Sequence, residues 1–385
     1  MSTIEKFDNL TNIASHIRKD LTGDNRKEKD LILLFAHNGT GKTRLSMDFK
    51  EAGKEYNEEG VATKRDTLYF NAFTEDLFSW HNDFTNNTNR HLKLNTESTF
   101  FDGLRELELD AKIESFLHNY VELKADINYE EGTVRFSKSI IIEGVEQRIE
   151  NIKISRGEET IFIWCFFLAI CQLVVDKDPA YNWVKYIYID DPVSSLDENN
   201  AIALACDLAN LLTKKNDDEK FEMMIKTVIS THHSLFFNVL FNEIGRKVKN
   251  KKYYLHFKEP MDYSLQDTDD SPFFHHIATI SELDKVVKSD KIYTYHFNAL
   301  RTILEKTASF FGYSEISKCI HGIDDAVLLE RALNLFSHGK YSIYDPVEMG
   351  DDNKDLFKRI FRGFIEKYKF DFPEIFKEPT PVETT

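Results

Sequence analysis

Residues 31–49 run Leu-Ile-Leu-Leu-Phe, then Ala36-His-Asn-Gly-Thr-Gly-Lys-Thr43, then Arg-Leu-Ser-Met-Asp-Phe. An apolar strand, a glycine-bearing loop and a helix N-terminus follow one another in the order a phosphate cradle needs. Small residues let backbone N–H groups curl around a phosphate, and the helix dipole adds positive potential there. In such a loop Lys42 reaches the β/γ oxygens and the Thr43 hydroxyl sits on Mg²⁺. Ala36 stands where the first glycine is usual, so one backbone position has lost some freedom. This block commits the N-terminal part of the chain to an α/β nucleotide-binding fold.

A second block supports that commitment. Tyr186–Asp190 is an apolar strand that delivers Asp190 and Asp191 at its C-terminal end, where ligands sit on open α/β sheets. Asp190 suits a hold on Mg²⁺, and Asp191 suits positioning of an attacking water. Ser194-Ser195-Leu196-Asp197 follows at once. Upstream, Ile154-Ser155-Arg156-Gly157-Glu158 precedes a helix expected from about Glu159. Downstream, Thr227–Thr231 reads as a strand ending at His232. In this order the segments resemble the head of ATP-binding-cassette (ABC) ATPases: Walker A, signature, Walker B, D-loop and switch histidine. The resemblance implies that Asn38, Gly39, Thr40, Gly41, Lys42, Thr43, Arg44, Ser155, Gly157 and Asp197 meet nucleotide. It also implies that Thr43 and Asp190 hold Mg²⁺ and that Asp191 and His232 serve hydrolysis. Asn71, at the end of an expected strand 67–73, reads either as a sensor of Mg²⁺ or γ-phosphate or as a plain strand cap.

Two departures from that pattern matter. Asp191 replaces the usual glutamate, and a carboxylate one methylene back holds water less directly. Slow hydrolysis and a nucleotide-gated clamp are therefore expected. The signature carries Arg156 for glycine and Glu158 for glutamine, but keeps the Ser155 hydroxyl and the Gly157 N–H. In such heads the signature completes a neighbour's site, which implies a homodimer or a higher even-numbered homo-oligomer. About a hundred residues separate Thr43 from Ser155, too few for long coiled-coil arms. A helix near 104–124, strands near 133–136 and 140–142, and a turn at Glu131-Gly132 are expected there.

With 385 residues the chain can build two cores. Residues 1–30 read as an amphipathic helix (Ile4, Phe7, Leu10, Ile13) followed by a charged loop. No basic-then-apolar leader and no apolar run approaching a membrane span are apparent, and a cytoplasmic protein is expected. Cys165, Cys171, Cys206 and Cys319 lie scattered in apolar contexts, the pattern of buried thiols in a reducing compartment. A formal net charge of −16 argues against diffuse adhesion to nucleic acid, leaving room only for a confined patch that selects by shape.

The expected division is a head over 1–260, a linker over 261–272 with four aspartates and no periodicity, and a helical domain over 273–385 ending in a disordered tail from Glu378. On an expected helix 294–311, Phe297, Leu300, Leu304 and Phe311 form an apolar stripe with Arg301 and Glu305 on its flank. The basic-first order makes a poor surface pair. A second helix, 325–337, buries Leu329, Ala332, Leu333 and Phe336. Arg331, Asn334 and His338 lie along its other stripe, with Gly339 as a stop and Lys340 after it. Arg331 and His338 resemble the Arg-x4-6-His motif of HEPN ribonucleases, and the Arg301/Glu305 pair resembles the rest of the catalytic set of PrrC-family anticodon nucleases. The segments 38–46, 71–78 and 190–197 look like the head of that family as well. The fold class implied is an ABC-type α/β head followed by an all-α, HEPN-like domain.

The chemistry expected of that set is RNA cleavage without a metal at the cut. It needs a base for the 2′-hydroxyl, an acid for the leaving 5′-oxygen and cations for the phosphate. His338 can fill either proton role, Arg301 would clamp the phosphate, and Glu305 would act as partner base or orient Arg301. Arg331 and Lys340 are further phosphate candidates. The resemblance implies a tRNA anticodon nuclease, a toxin or antiphage effector gated by ATP or GTP with Mg²⁺. It also implies a restriction–modification complex as silencing partner and no membrane. The competing readings are an ABC ATPase subunit that switches a separate effector, its C-terminal helices a docking module, and a DNA-repair-like head acting on DNA ends. The missing coiled coil and the acidic balance count against the latter.

Overall fold

The computed structural model describes residues 4–24, 27–71, 78–82, 90–95, 109–142, 145–193, 196–216, 218–245, 247–258, 262–268, 275–320 and 348–368. The chain divides into two compact units, residues 3–269 and 270–385.

The first unit is built on a seven-stranded sheet. Its strands are β1 (Ile4–Phe7), β2 (Leu31–Phe35), β5 (Thr67–Asn71), β11 (Tyr186–Asp190), β14 (Lys226–Thr231), β15 (Asn250–Lys258) and β16 (Asp262–Asp267), in the order β1-β16-β15-β2-β14-β11-β5. From β15 to β5 the pairs are parallel, while β16 and β1 add an antiparallel edge. β2 and β11 are buried at every position, as parallel strands covered on both faces must be. A second sheet joins β6 (Phe78–Asn82), β7 (Arg90–Leu94), β8 (Lys124–Asn128), β9 (Thr133–Ile142) and β10 (Val145–Ile149), all antiparallel. Two small hairpins, β3 (Glu55–Tyr56) with β4 (Ala62–Lys64) and β12 (Thr213–Lys215) with β13 (Phe221–Met223), complete the strands.

The helices of this unit are α1 (Leu10–Thr22), α2 (Lys42–Glu51), α3 (Leu109–Leu117), α4 (Arg156–Val175), α5 (Glu198–Leu212) and α6 (Ser234–Leu240). α4 is long and apolar enough to cross a membrane by length and composition, which corrects the expectation that no run approaches a span. It is a core helix: Trp164, Cys165, Phe166, Phe167 and Leu168 are all buried, and Phe70 stacks on Phe167 at 4.4 Å.

Three further expectations change. Ile4 and Phe7 belong to β1 and only Leu10 and Ile13 to α1, because Asn9 caps the helix by accepting from the Asn12 N–H at 2.8 Å. The helix expected over 104–124 is α3 alone among described residues, with Lys124 opening β8, and the strands expected at 133–136 and 140–142 are the single strand β9. The stretch expected as a linker supplies β16, whose alternation buries Tyr263 and Leu265 against β15. The aspartates masked a two-residue period.

One arginine ties these layers together. The Arg18 guanidinium donates to both Asp66 oxygens (2.9 and 3.0 Å), to the Phe49 carbonyl (3.0 and 2.6 Å) and to Thr67 Oγ1 (3.1 Å), and it lies 4.2 Å over the Phe49 ring. It thus joins α1, the end of α2 and the start of β5. Gly53 makes room for it, since a Cβ there would fall 1.8 Å from Asp66 Oδ1.

In the second unit the described elements are α7 (His275–Ser289), α8 (Thr294–Phe311), a 3₁₀ turn Ile316–Cys319 and α9 (Asp351–Tyr368). Phe297, Leu300, Ile303 and Leu304 of α8 pack with Phe357, Ile360, Phe361 and Phe364 of α9. Phe311, expected on the same stripe, is instead 48% exposed, with Ala308 buried in its stead. The helix expected over 325–337 and the tail from Glu378 lie outside the described residues.

Arg18→Ala should cost the first unit about 3 kcal/mol in urea unfolding, because Asp66 is left largely buried without its partner. Arg18→Lys should recover little, since an ammonium cannot span the same forked contacts.

Candidate functional site

The C-terminal ends of β5, β11, β14 and β2 lie side by side, and their register decides which side chains meet. Asp190 is level with Asn71 on one side and Ser230 on the other, and Thr231 is level with Phe35, the last residue before the loop. The Asp190 carboxylate is fully buried and satisfied from three elements. It accepts from Ser230 Oγ at 2.7 Å, from Thr43 Oγ1 at 2.8 Å and from Asn71 Nδ2 at 3.3 Å. Burial raises its pKa, against the pull of the Ser230 and Thr43 hydrogen bonds.

The loop holds a fixed curl. Gly39 and Gly41 have φ of 83° and 97°, in the region that favours glycine. At Gly41 a Cβ would also stand 3.0 Å from Leu10 Cδ1 of α1. Thr40 Oγ1 donates to the His37 carbonyl at 2.7 Å. Lys42 Nζ donates to the carbonyls of Ala36 and His37 (3.1 and 3.2 Å) and to Asn38 Oδ1 (3.3 Å), and lies 3.5 Å from Asp191. Burial lowers the Lys42 pKa, against Asp191 and Asp190, which favour the ammonium.

Asp191 has φ 50°, a left-handed conformation that Asp tolerates better than most residues. This turns its carboxylate to β14. It accepts from Thr231 Oγ1 and the His232 N–H, both at 3.2 Å, and meets His232 Nδ1 at 2.6 Å. Burial works to raise its pKa, but the His232 hydrogen bond and charge and the Lys42 charge outweigh it, so the carboxyl lies below its ordinary value. Behind the loop, His37 packs edge-on against Phe35 and Tyr254. Burial, then the charges of Lys42 and His232, push its pKa down to about 4.

The structure thus brings together Asn38, Gly39, Thr40, Gly41, Lys42, Thr43, Asn71, Asp190, Asp191 and His232. Arg44 is exposed on the first turn of α2. Asn71 also donates to the Tyr69 hydroxyl at 3.0 Å, so it is tied into the site and is more than a strand cap. Ser155 caps α4 in a reciprocal pair: its Oγ accepts from the Glu158 N–H at 3.3 Å and Glu158 Oε2 accepts from the Ser155 N–H at 2.7 Å. That pair starts α4 at Arg156, three residues before the expected position, with Gly157 in its first turn. Asp197 caps α5 by accepting from the Asn200 N–H at 2.9 Å, and Ser194 and Ser195 lie outside the described residues.

Ser230, Thr231 and His37 were missed by sequence reasoning. The first two had a signal, two hydroxyl residues ending an apolar strand beside His232. His37 had none, because its role depends on Tyr254 from a distant strand.

In the second unit, Arg301 Nε donates to Glu305 Oε1 at 2.7 Å along α8, so this expected pair is joined. His338, Arg331, Asn334 and Lys340 lie outside the described residues.

The profile of a family described as an AAA domain matches residues 106–366. An Escherichia coli protein named anticodon nuclease is 35% identical over 337 residues, covering 80% of this chain and 82% of its own. The first unit, with its mixed sheet, fits an AAA-type ATPase domain, and such a domain implies binding of nucleotide with Mg²⁺. The donors present suit that ion: Thr43 and Asp190 offer hard oxygens, which Mg²⁺ prefers.

Titration calorimetry should find that Lys42→Ala abolishes nucleotide binding, whereas Asp191→Ala binds and turns over more slowly. A pH series tests His37. Its folded pKa lies below the unfolded value, so the unfolded chain binds the extra proton between about pH 6.5 and 4. Stability should therefore fall as pH drops through that window, and His37→Gln should flatten the fall in the unfolding transition of the first unit.

Proposed function

The chain belongs to the PrrC family of anticodon nucleases, and from that premise we propose that it is a nucleotide-gated endoribonuclease that cuts a tRNA anticodon loop. The observation that carries the reading is the likeness, over four-fifths of the chain, to a protein named anticodon nuclease. Two parts of the geometry support it. The phosphate loop and the Asp190 network form a nucleotide cradle, and Arg301 and Glu305 stand joined on one face of α8.

In this reading the first unit is an ABC-type clamp. Thr43 and Asp190 hold Mg²⁺ on ATP or GTP, and Lys42 turns from the loop carbonyls to the phosphates. Asp191 is already engaged by His232 and lies near Lys42, so it is a poor holder of water, which favours slow hydrolysis and long-lived closed states. Ser155 and Gly157 of one head close on the nucleotide of its partner in a head-to-head homodimer or larger even-numbered assembly.

The second unit is a HEPN-like helical nuclease. His338 acts as acid or base, Arg301 clamps the scissile phosphate and Glu305 orients Arg301 or shares the proton work, with Arg331 and Lys340 as further phosphate contacts. The nucleophile is the substrate's own 2′-hydroxyl, so the products are a 2′,3′-cyclic phosphate and a 5′-hydroxyl, and no metal is needed at the cut. A loop is the natural target because A-form stems hide their base edges, whereas splayed bases can be read. Such an enzyme acts in the cytoplasm as a toxin or antiphage effector, silenced by a restriction–modification complex until released.

Mapping RNA ends by ligation after induction tests this. Wild type should give 5′-hydroxyl ends within a tRNA anticodon loop. Arg301→Ala, Glu305→Ala and His338→Ala should each reduce cutting by about 10²-fold or more, the scale of lost acid–base catalysis, while still binding nucleotide. Full cutting by His338→Ala would instead favour the docking-module reading, and 5′-phosphate ends would exclude the mechanism.

A further inference from the structure

At the C-terminal ends of α8 and α9 lies an aromatic patch that neither the nucleotide cradle nor the Arg301–Glu305 pair accounts for. Phe310 is 83% exposed. The Phe311 ring stacks on Tyr368, with centroids 5.3 Å and planes 17° apart, and on Tyr313 at 5.7 Å and 21°. Phe310 meets Phe311 edge-on at 5.1 Å. A cation is fixed among these rings: Lys367 Nζ lies 5.5 Å from the Tyr313 centroid and 5.8 Å from that of Tyr368, and it donates to the Lys318 carbonyl.

We infer that this patch is a stacking platform for unpaired bases of RNA, with Phe310 and Phe311 meeting the bases and Lys367 and Lys318 the neighbouring phosphates. The inference rests on the reading of the chain as an RNA-cutting enzyme. Near-parallel aromatic rings flanked by lysines are the arrangement on which single-stranded bases stack without regard to sequence. An apolar protein partner fits less well, because lysine is depleted from the cores of protein interfaces. Glu315 and Glu366 are exposed in the same segments, so attraction to phosphate is partly offset and stacking must carry the contact. Phe310 follows Arg301 by nine residues on α8, about 14 Å of helix rise and about two and a half turns, so the patch and the Arg301–Glu305 pair lie on different faces of the helix and RNA meeting both would wrap around its end.

The test uses full-length protein carrying His338→Ala, so that RNA stays intact, and a hairpin with 2-aminopurine in its unpaired loop. Binding should quench the fluorescence. Adding Phe310→Ala should abolish the quenching and weaken binding about tenfold, at low and high salt alike, and Phe310→Trp should restore both. Since Phe310 is exposed, circular dichroism of the variants should match the parent. Unchanged quenching and affinity in Phe310→Ala would overturn the platform and leave the nuclease reading intact. Failure of the parent to bind any hairpin would overturn both. Unchanged RNA binding with lost self-association in sedimentation would make the patch an interface between copies and overturn the platform.

Discussion

The buried carboxylate of Asp190 is the constraint on which the first unit depends. A charge with no exposed surface must be satisfied by fixed donors, since an unsatisfied one costs several kcal/mol. Its donors come from three different elements: Ser230 from β14, Asn71 from β5 and Thr43 from α2. The strand register that aligns Asp190 with Asn71 and Ser230 is therefore also what places the first turn of α2, and with it the phosphate loop, over the sheet end. A slip of one residue in β11 would turn the carboxylate to the opposite face and undo all three contacts.

How much of this was legible in the sequence depends on how local each signal is. The phosphate loop is legible because strand, glycines, lysine and helix lie within nineteen consecutive residues, 31–49. Asp190 and Asp191 are legible for the same reason, as carboxylates at the end of an apolar run. The partners of Asp190 were legible only in part, because lateral register between strands far apart in sequence leaves no mark in either strand alone. β16 was hidden by its aspartates: Asp267, next in the alternation after the buried Tyr263 and Leu265, is itself largely covered because it pairs with Lys251 of β15, a partner that the sequence does not reveal. The Arg18 hub was invisible: two segments distant in the chain, around Phe49 and around Asp66, supply its hydrogen bonds, and nothing around Arg18 in the chain indicates that it turns inward.

The departures at the ends of the site are explained by local chemistry. Asp191, one methylene short of glutamate, adopts a left-handed backbone conformation and turns into contact with His232 and toward Lys42. A longer side chain at the same Cα would carry its carboxyl past His232 Nδ1. The short residue and the close histidine pair are thus one arrangement, in which the two groups expected to serve hydrolysis hold each other. The depressed pKa of Asp191 expresses the same coupling.

Glu158 has a comparable explanation. As N3 of α4 it reaches back to the Ser155 N–H while Ser155 Oγ accepts from the Glu158 N–H. A hydroxyl has one proton to donate and two lone pairs to accept with. The cap uses a lone pair, so the Ser155 proton stays available for a phosphate oxygen. The glutamate fixes the serine without consuming its donor, but it also leaves a carboxylate in the first turn of α4, the turn whose N–H groups would face a partner's phosphate in the proposed head-to-head assembly. The like charge weakens attraction there, an effect that falls off within a turn. In the proposed clamp, a signature built this way would be well ordered and only moderately attractive to phosphate, which would suit a head that must open again more than one built to stay shut.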